Sequence, residues 1–388
     1  MSDNAWPQRP APRIEASDDS QRRLTWLELF QDLIFVAVIG ELSSALSRDP
    51  SWVGFRHFLL LGTPAVWTWL SFALYDDRLG SDDASHRLFA LLRILPVAGL
   101  ALAVHGGIAD ATREFAFAYV VARLLLIGLW TRGGRRHPPA RPLTRRYAIG
   151  LSIAVVPWLI SLPTPPPARY VLWAAGLAID LATPLTTLLM QIHLPRLGPT
   201  RLPERFALFA MVVLGGSAAA LVRGWAAASN PVSATAPAAA LGLALIFIVW
   251  WLYFEHVAGR RSRPGAWWNI VWAFWHGPLV MSVAATSAGV LSIIAGHGDA
   301  GSAARLIGGA MATALLAIGA IVRAQSRTDR AHGESRWAAV HRLAGVAAIL
   351  AVGLGGGSLS GVALLSLLAA ACVSQILYYG DKWIWETN

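Results

Sequence analysis

Apolar residues along this chain fall into runs separated by short, arginine-rich polar stretches. Each run holds about 20 residues, the length a helix needs to cross roughly 30 Å of hydrocarbon. Twelve runs predict twelve helices, near 24–46, 52–75, 87–107, 113–131, 147–162, 169–192, 204–224, 236–257, 267–293, 303–322, 338–355 and 361–379. The fifth is short and ends in Leu-Pro-Thr-Pro-Pro-Pro-Ala-Arg. The fold class expected is all-α: a polytopic membrane helix bundle.

Composition agrees with the pattern. Of 388 residues, 55% are hydrophobic and 14% charged, against about 25% charged in ordinary soluble domains. The formal net charge of +10 raises the question of nucleic acid, but the arginines sit in short connections, where they set topology. No nucleic-acid partner is expected; membrane lipid is. Of the 32 Lys and Arg residues, six lie in odd-numbered connections and three, Arg93, Arg123 and Arg342, within spans. The remainder mark the tail, the even-numbered connections and the C-terminus. The positive-inside rule then places both termini in the cytoplasm. The single Cys372 excludes an internal disulfide and a cysteine-based metal site. Residues 1–23 read as a disordered cytoplasmic tail.

The two halves share a pattern. An offset of 176 lays Glu-Leu-Phe-Gln-Asp-Leu-Ile-Phe-Val-Ala-Val-Ile-Gly (28–40) on Glu-Arg-Phe-Ala-Leu-Phe-Ala-Met-Val-Val-Leu-Gly-Gly (204–216). An offset of 182 aligns Trp69–Phe72 with Trp251–Phe254 and Gly107 with Gly289. A parallel six-plus-six repeat is expected, over 24–192 and 204–380, joined by a cytoplasmic linker 193–203 and followed by a cytoplasmic end, 381–388.

Charged and polar residues inside the runs carry the candidate chemistry. With Leu24 at the edge and a rise of 1.5 Å per residue, Glu28 lies about 6 Å deep, Asp32 about 12 Å and Glu41 about 25 Å. Asp32, Arg123, Asp180 and His276 come out near the midplane, and Arg93 shallower, about 9 Å in. Ionisable groups at such depths face a bundle interior or a cavity. Glu28 and Asp32, four apart, share one helix face; Glu41 lies on another. Asp32 with Arg123 reads either as a structural ion pair or as a site in which arginine tunes the acid. Glu28 and Glu204 occupy matching repeat positions near the cytoplasmic edge. Glu255 is expected at the interface, and His105 at the opposite one. The tryptophans around 250–275, Trp275 among them, read mostly as an interfacial belt. His276 precedes Gly277-Pro278, where a break in the helix is expected.

The acidic stretch Asp76-Asp77…Asp82-Asp83 is open to two readings. It is a solvated, helix-capping turn or a weak candidate site for Mg²⁺ carrying a diphosphate. No other cofactor is implied. No Walker loop is present, and Gly355–Gly357 reads as helix packing or a break.

Several motifs occur in order: Thr-Trp-Leu-Glu-Leu-Phe-Gln-Asp-Leu-Ile-Phe-Val-Ala-Val-Ile-Gly-Glu-Leu-Ser (25–43), Tyr-Asp-Asp-Arg-Leu-Gly-Ser-Asp-Asp (75–83), Phe-Ala-Phe-Ala-Tyr-Val-Val-Ala-Arg (115–123) and His-Gly-Pro-Leu-Val (276–280). With the stretch at 204–217, this series resembles the bacterial low-temperature-requirement A family of membrane proteins over nearly the whole chain. The resemblance implies a multi-pass bacterial protein and brings no reaction with it. Two departures stand out. Gly216 replaces the glutamate of the family's usual Leu-Gly-Glu-Ser, and Glu41 stands where glutamine is usual.

Three kinds of function fit. A transporter- or channel-like protein would bind or relay a proton at Asp32 or His276, with Arg123 setting the carboxylate or holding an anionic solute. Arg93, Glu204, Glu255 and Trp275 would line such a path. A membrane-embedded acid/base enzyme acting on an isoprenoid-like substrate would use Asp32, Glu28 or Asp180 as its acid. A scaffold without substrate would need only an ion-paired interior.

Overall fold

The computed structural model describes residues 26–79, 84–105, 113–188, 201–228, 235–326 and 336–386. Among them are twelve α-helices and no β-strand: α1 Trp26–Arg48, α2 Trp52–Leu79, α3 Ala84–His105, α4 Arg113–Arg136, α5 Arg141–Ser161, α6 Ala168–Thr186, α7 Leu202–Ala226, α8 Ala236–His256, α9 Ala266–Ala295, α10 Ala300–Ala324, α11 Arg336–Gly355 and α12 Gly361–Glu386. Eleven are long and apolar enough to cross a membrane. The exception is α6, whose Arg169 and Asp180 lower its hydropathy. The chain is a polytopic membrane helix bundle, as the hydrophobic runs predict.

Two details differ from the sequence expectation. Helix α5 begins at Arg141, since Arg-Pro-Leu-Thr-Arg-Arg extends the apolar run by six polar-flanked residues without a helix-breaking signal past Pro142. The anticipated break at Gly277-Pro278 does not occur: α9 runs unbroken through Pro278. Four other helices also keep an internal proline, Pro64, Pro96, Pro157 and Pro184. A proline deletes one ladder bond, to the carbonyl four residues before it, and helices inside a membrane bundle tolerate that loss. The Gly355–Gly357 segment is a break, with a short 3₁₀ turn Gly356–Ser358 between α11 and α12.

The chain divides into two compact units. The first comprises residues up to 38, 60–205 and 265–270; the second 39–59, 206–264 and 271–388. In the first, α3 packs on α4, α4 on α5 and α5 on α6. Large aromatic rings fill its interior: Tyr119 lies 4.2 Å from Trp158, Trp158 stacks 5.1 Å from Trp173, and Trp130 stacks 4.2 Å from Tyr147. Gly176 makes room for Trp158, since a Cβ there would lie 2.5 Å from the indole.

The second unit packs α10 on α11, α11 on α12, and α8 on α12 and α10. Its interior uses small residues, with Ala284, Ala285, Ala288 and Ala304 buried. Helices α10 and α11 approach through glycines: a Cβ on Gly308 would stand 2.6 Å from the Gly353 Cα. In membranes such small-residue seams replace the hydrophobic effect as the source of helix contact. The outward faces in both units are apolar. Along α3, Leu88, Leu91, Leu95 and Leu102 recur at helical spacing and are exposed, as a lipid-facing stripe requires.

Candidate functional site

The first unit holds two clusters of buried charge. In one, Asp32 of α1 accepts a hydrogen bond at Oδ1 from Trp69 Nε1 at 2.7 Å. The nearest guanidinium nitrogen, Arg205 Nη2 of α7, is 3.8 Å away. Asp32 Oδ2 is buried and accepts no hydrogen bond. Glu28 is also buried, one turn earlier on the same face, where its charge acts on both Asp32 and Arg205. Gln31 fastens this face to α3 by donating to Ala90 O at 3.1 Å.

Asp76 of α2 is held very differently. Arg93 Nη1 reaches both its oxygens, at 2.8 and 2.9 Å, and Arg205 Nη1 donates to Oδ2 at 3.2 Å. The Arg93 guanidinium also lies over the rings of Phe72 and Tyr75, 4.9 and 5.5 Å from their centroids. Arg205 thus stands between a firmly clamped carboxylate and a loosely held one. Charge-assisted bonds at 2.7–2.9 Å are the strong kind, and a 3.8 Å contact is not a hydrogen bond.

The second cluster sits at mid-helix. Arg123 of α4 has its Nε 3.1 Å from Asp180 Oδ2 of α6. Its Nη1 and Nη2 donate to the hydroxyls of Ser71 and Thr68 at 3.0 and 2.8 Å, and it covers the Tyr119 ring at 4.6 Å. Tyr119 donates to Asp180 Oδ2 at 2.6 Å. Asp180 Oδ1 accepts no hydrogen bond. Asp180 also lines a small void of about 10 Å³ with Ser71, Tyr147 and Thr183, room for about one water.

His276 belongs to the second unit. Its Nδ1 lies 2.8 Å from Trp272 O, and because a carbonyl can only accept, Nδ1 carries the proton. Nε2 has no hydrogen-bond partner. The rings of Phe206, Trp272 and Tyr253 surround the imidazole at 4.4, 4.5 and 5.9 Å. With α9 unbroken, this cage offers no free backbone groups of the sort a broken helix would.

The sequence-predicted residues are therefore redistributed. Asp32 does not pair with Arg123; Arg205 takes that place beside Asp32, and Arg123 pairs with Asp180. The physical reason is angular, because depth along a helix says nothing about which neighbour a side chain faces. Asp76 and Asp77 form no solvated turn but lie in the last helical turns of α2. Asp76 is buried, while half-buried Asp77 accepts from the Arg201 amide at 3.2 Å. Both Asp76 oxygens accept from guanidinium groups. Asp82 and Asp83 lie outside the described residues. Among the described residues no three His, Cys, Asp or Glu side chains gather as a cation's ligands. Glu204, Glu255, Trp275 and His105 are exposed, and Glu41 is half-buried.

Sequence reasoning missed Arg205, Trp69 and Tyr119. A signal for Arg205 existed. It sits inside an apolar helix whose positions three and four residues away, Arg201, Leu202, Leu208 and Phe209, offer no acid. A buried arginine without a partner on its own helix must find one on another.

A family model described as bacterial low temperature requirement A protein matches residues 23–377. The chain belongs to the LtrA family. Both charge clusters and His276 fall within the matched range. The chain is also similar to an uncharacterized protein, RA0937, of Rhizobium meliloti (strain 1021), 24% identical over 295 residues that cover 71% of each chain. No solved structure matches it.

Proposed function

We propose that this LtrA-family protein is a proton-linked, transporter- or channel-like protein of the bacterial inner membrane, with Asp32 as the group that exchanges the proton. The observation that carries this is the unequal division of Arg205. Asp76 keeps Arg93 whatever Arg205 does, so Asp32 can gain or lose its charge without dismantling the Asp76 clamp. A proton on Asp32 releases Arg205 fully to Asp76, and its loss draws Arg205 back across less than 4 Å. A two-position arginine between two carboxylates is a simple element for coupling protonation to a helix shift, here of α7.

The parallel six-plus-six repeat expected from the sequence, over 24–192 and 204–380, favours a transporter-like plan. Arginine bias, with Arg135, Arg136, Arg141, Arg145 and Arg146 around the α4–α5 connection, supports cytoplasmic termini. The carboxyls named for an acid/base enzyme are buried among guanidinium, indole and phenol groups. The open groove along α4 and α5 has no carboxylate in its lining.

The test is proton movement into liposomes reconstituted with the purified protein and an internal pH dye, across a panel of small ionic solutes. Wild type should acidify the lumen with at least one solute, and Asp32→Asn should abolish this while remaining folded. Equal flux in the variant, or silence across the panel, would sink the proposal.

A further inference from the structure

A second feature of the first unit is independent of any proton chemistry. Between α4 and α5 runs an open groove of about 780 Å³. Its walls are Ile127, Ile149, Ile153, Val156 and Ile179, and three arginines, Arg135, Arg141 and Arg145, line one end. The hydroxyls within it donate their protons to backbone carbonyls. Thr131 donates to Ile127 O, Thr144 to Arg141 O and Ser152 to Ala148 O, at 2.7, 3.2 and 2.7 Å. The groove is therefore apolar along its length and cationic at one end.

We infer that this groove binds an anionic phospholipid, with the phosphate-bearing headgroup at the three arginines and an acyl chain along Ile149, Ile153 and Val156. Charge complementarity is the first argument. From Arg132 to Arg146 the chain carries six arginines, and no Asp or Glu occurs between Glu114 and Asp180. Arg135 and Arg145 are exposed and have no hydrogen-bond or ion-pair partner among the described residues. Arg141 spends its Nε on Gly134 O at 3.1 Å, which fixes the guanidinium at the mouth and leaves its other donors for a ligand. Guanidinium groups suit phosphate because their donors match its oxygens in pairs.

Length is the second argument. From Arg145 to Pro157 the α5 wall rises about 18 Å, close to the roughly 15 Å of hydrocarbon in one leaflet. A headgroup held at Arg145 would lay its chain down the whole apolar wall. A soluble anion would fill only the mouth, and a neutral lipid would gain nothing from the arginines.

Native mass spectrometry of the intact protein, exchanged into nanodiscs of dioleoyl-phosphatidylglycerol, dioleoyl-phosphatidylcholine or an equal mixture, tests this. Wild type should retain phosphatidylglycerol in preference to phosphatidylcholine from the mixture. Arg135→Gln/Arg145→Gln should lower that preference roughly 30-fold, at about a factor of five per surface arginine. Ser152→Trp, which fills the groove without touching the arginines, should reduce retention of both lipids alike. Melting temperatures of both variants should stay at the wild-type value, since the changed positions are exposed. Equal retention of the two lipids by wild type overturns the inference. So does phosphatidylglycerol retention untouched by Ser152→Trp, which would place the lipid on the arginines alone. A dimer that Ser152→Trp splits would assign the groove to a second copy of the chain instead.

Discussion

The two units solve the same problem, a lipid-embedded interior, by opposite means. Among the described residues the first buries four carboxylates, Glu28, Asp32, Asp76 and Asp180, and four arginines, Arg93, Arg123, Arg169 and Arg205, within a frame of stacked aromatic rings. Among the described residues the second buries no carboxylate. Its polar interior is serine, threonine, glutamine, His276 and Arg342, set among alanine and glycine seams. Charge in hydrocarbon is costly and is kept where it has work to do; close backbone packing without charge is the cheaper way to hold helices together. The first unit therefore holds the buried carboxylates of the candidate site, and the second holds His276. The Gly216 departure points the same way, since the glutamate usual in the resembling motif would have added an acid to α7 within the second unit.

The contrast can be broken by experiment. Asp76→Ala leaves Arg93 and Arg205 buried without their shared carboxylate and should cost about 3–5 kcal/mol, read as loss of folded protein in detergent thermal melts. Tyr119→Phe removes the 2.6 Å donor to Asp180 and should cost about 1.5–3 kcal/mol by the same melts. In the second unit, Gly308→Ala should cost about 1–3 kcal/mol through overpacking against Gly353, with no change in proton flux. Asp32→Asn keeps an oxygen for Trp69 and should cost less than about 1 kcal/mol while abolishing flux. If it destabilised as much as Asp76→Ala, the asymmetry around Arg205 would be wrong.

The smallest effect concerns Asp299, which caps α10 by accepting from the Ser302 amide and hydroxyl at 2.8 and 2.6 Å. Those bonds hold its carboxyl below the usual carboxylate range. Its contribution is therefore present above the ordinary carboxylate value and is lost as pH falls through the lowered one. Protection of the Ser302 amide against exchange, taken relative to the intrinsic rate at each pH, should fall on acidification in wild type and be low at every pH in Asp299→Ala.

Much of the fold was legible because hydrophobic run length reads directly as span length; α2, α4, α7 and α8 begin within two residues of their predicted starts. The shared face of Glu28 and Asp32 was legible too, because it depends only on helical period. Partner choice was not. Asp32 meets Trp69 and Arg205 across 37 and 173 positions of chain, and no local pattern specifies which of several buried arginines turns toward it. Asp76 looked like part of a solvated turn because acidic residues at helix ends usually are; it turns inward to Arg93 and Arg205, which lie on other helices. The Gly-Pro pair before Leu279 looked like a break because in water a mid-helix proline usually is one.

The glycine seam between α10 and α11 has an evolutionary consequence. Each of Gly308 and Gly353 blocks a side chain on the other, so neither position can drift alone. Changing one requires the helices to part, which would undo contacts along both. At 24% identity three residues in four have changed between this chain and its Rhizobium relative. This pair is where substitution should have stalled, whatever the family does, because the constraint comes from the width of a methyl group and not from function.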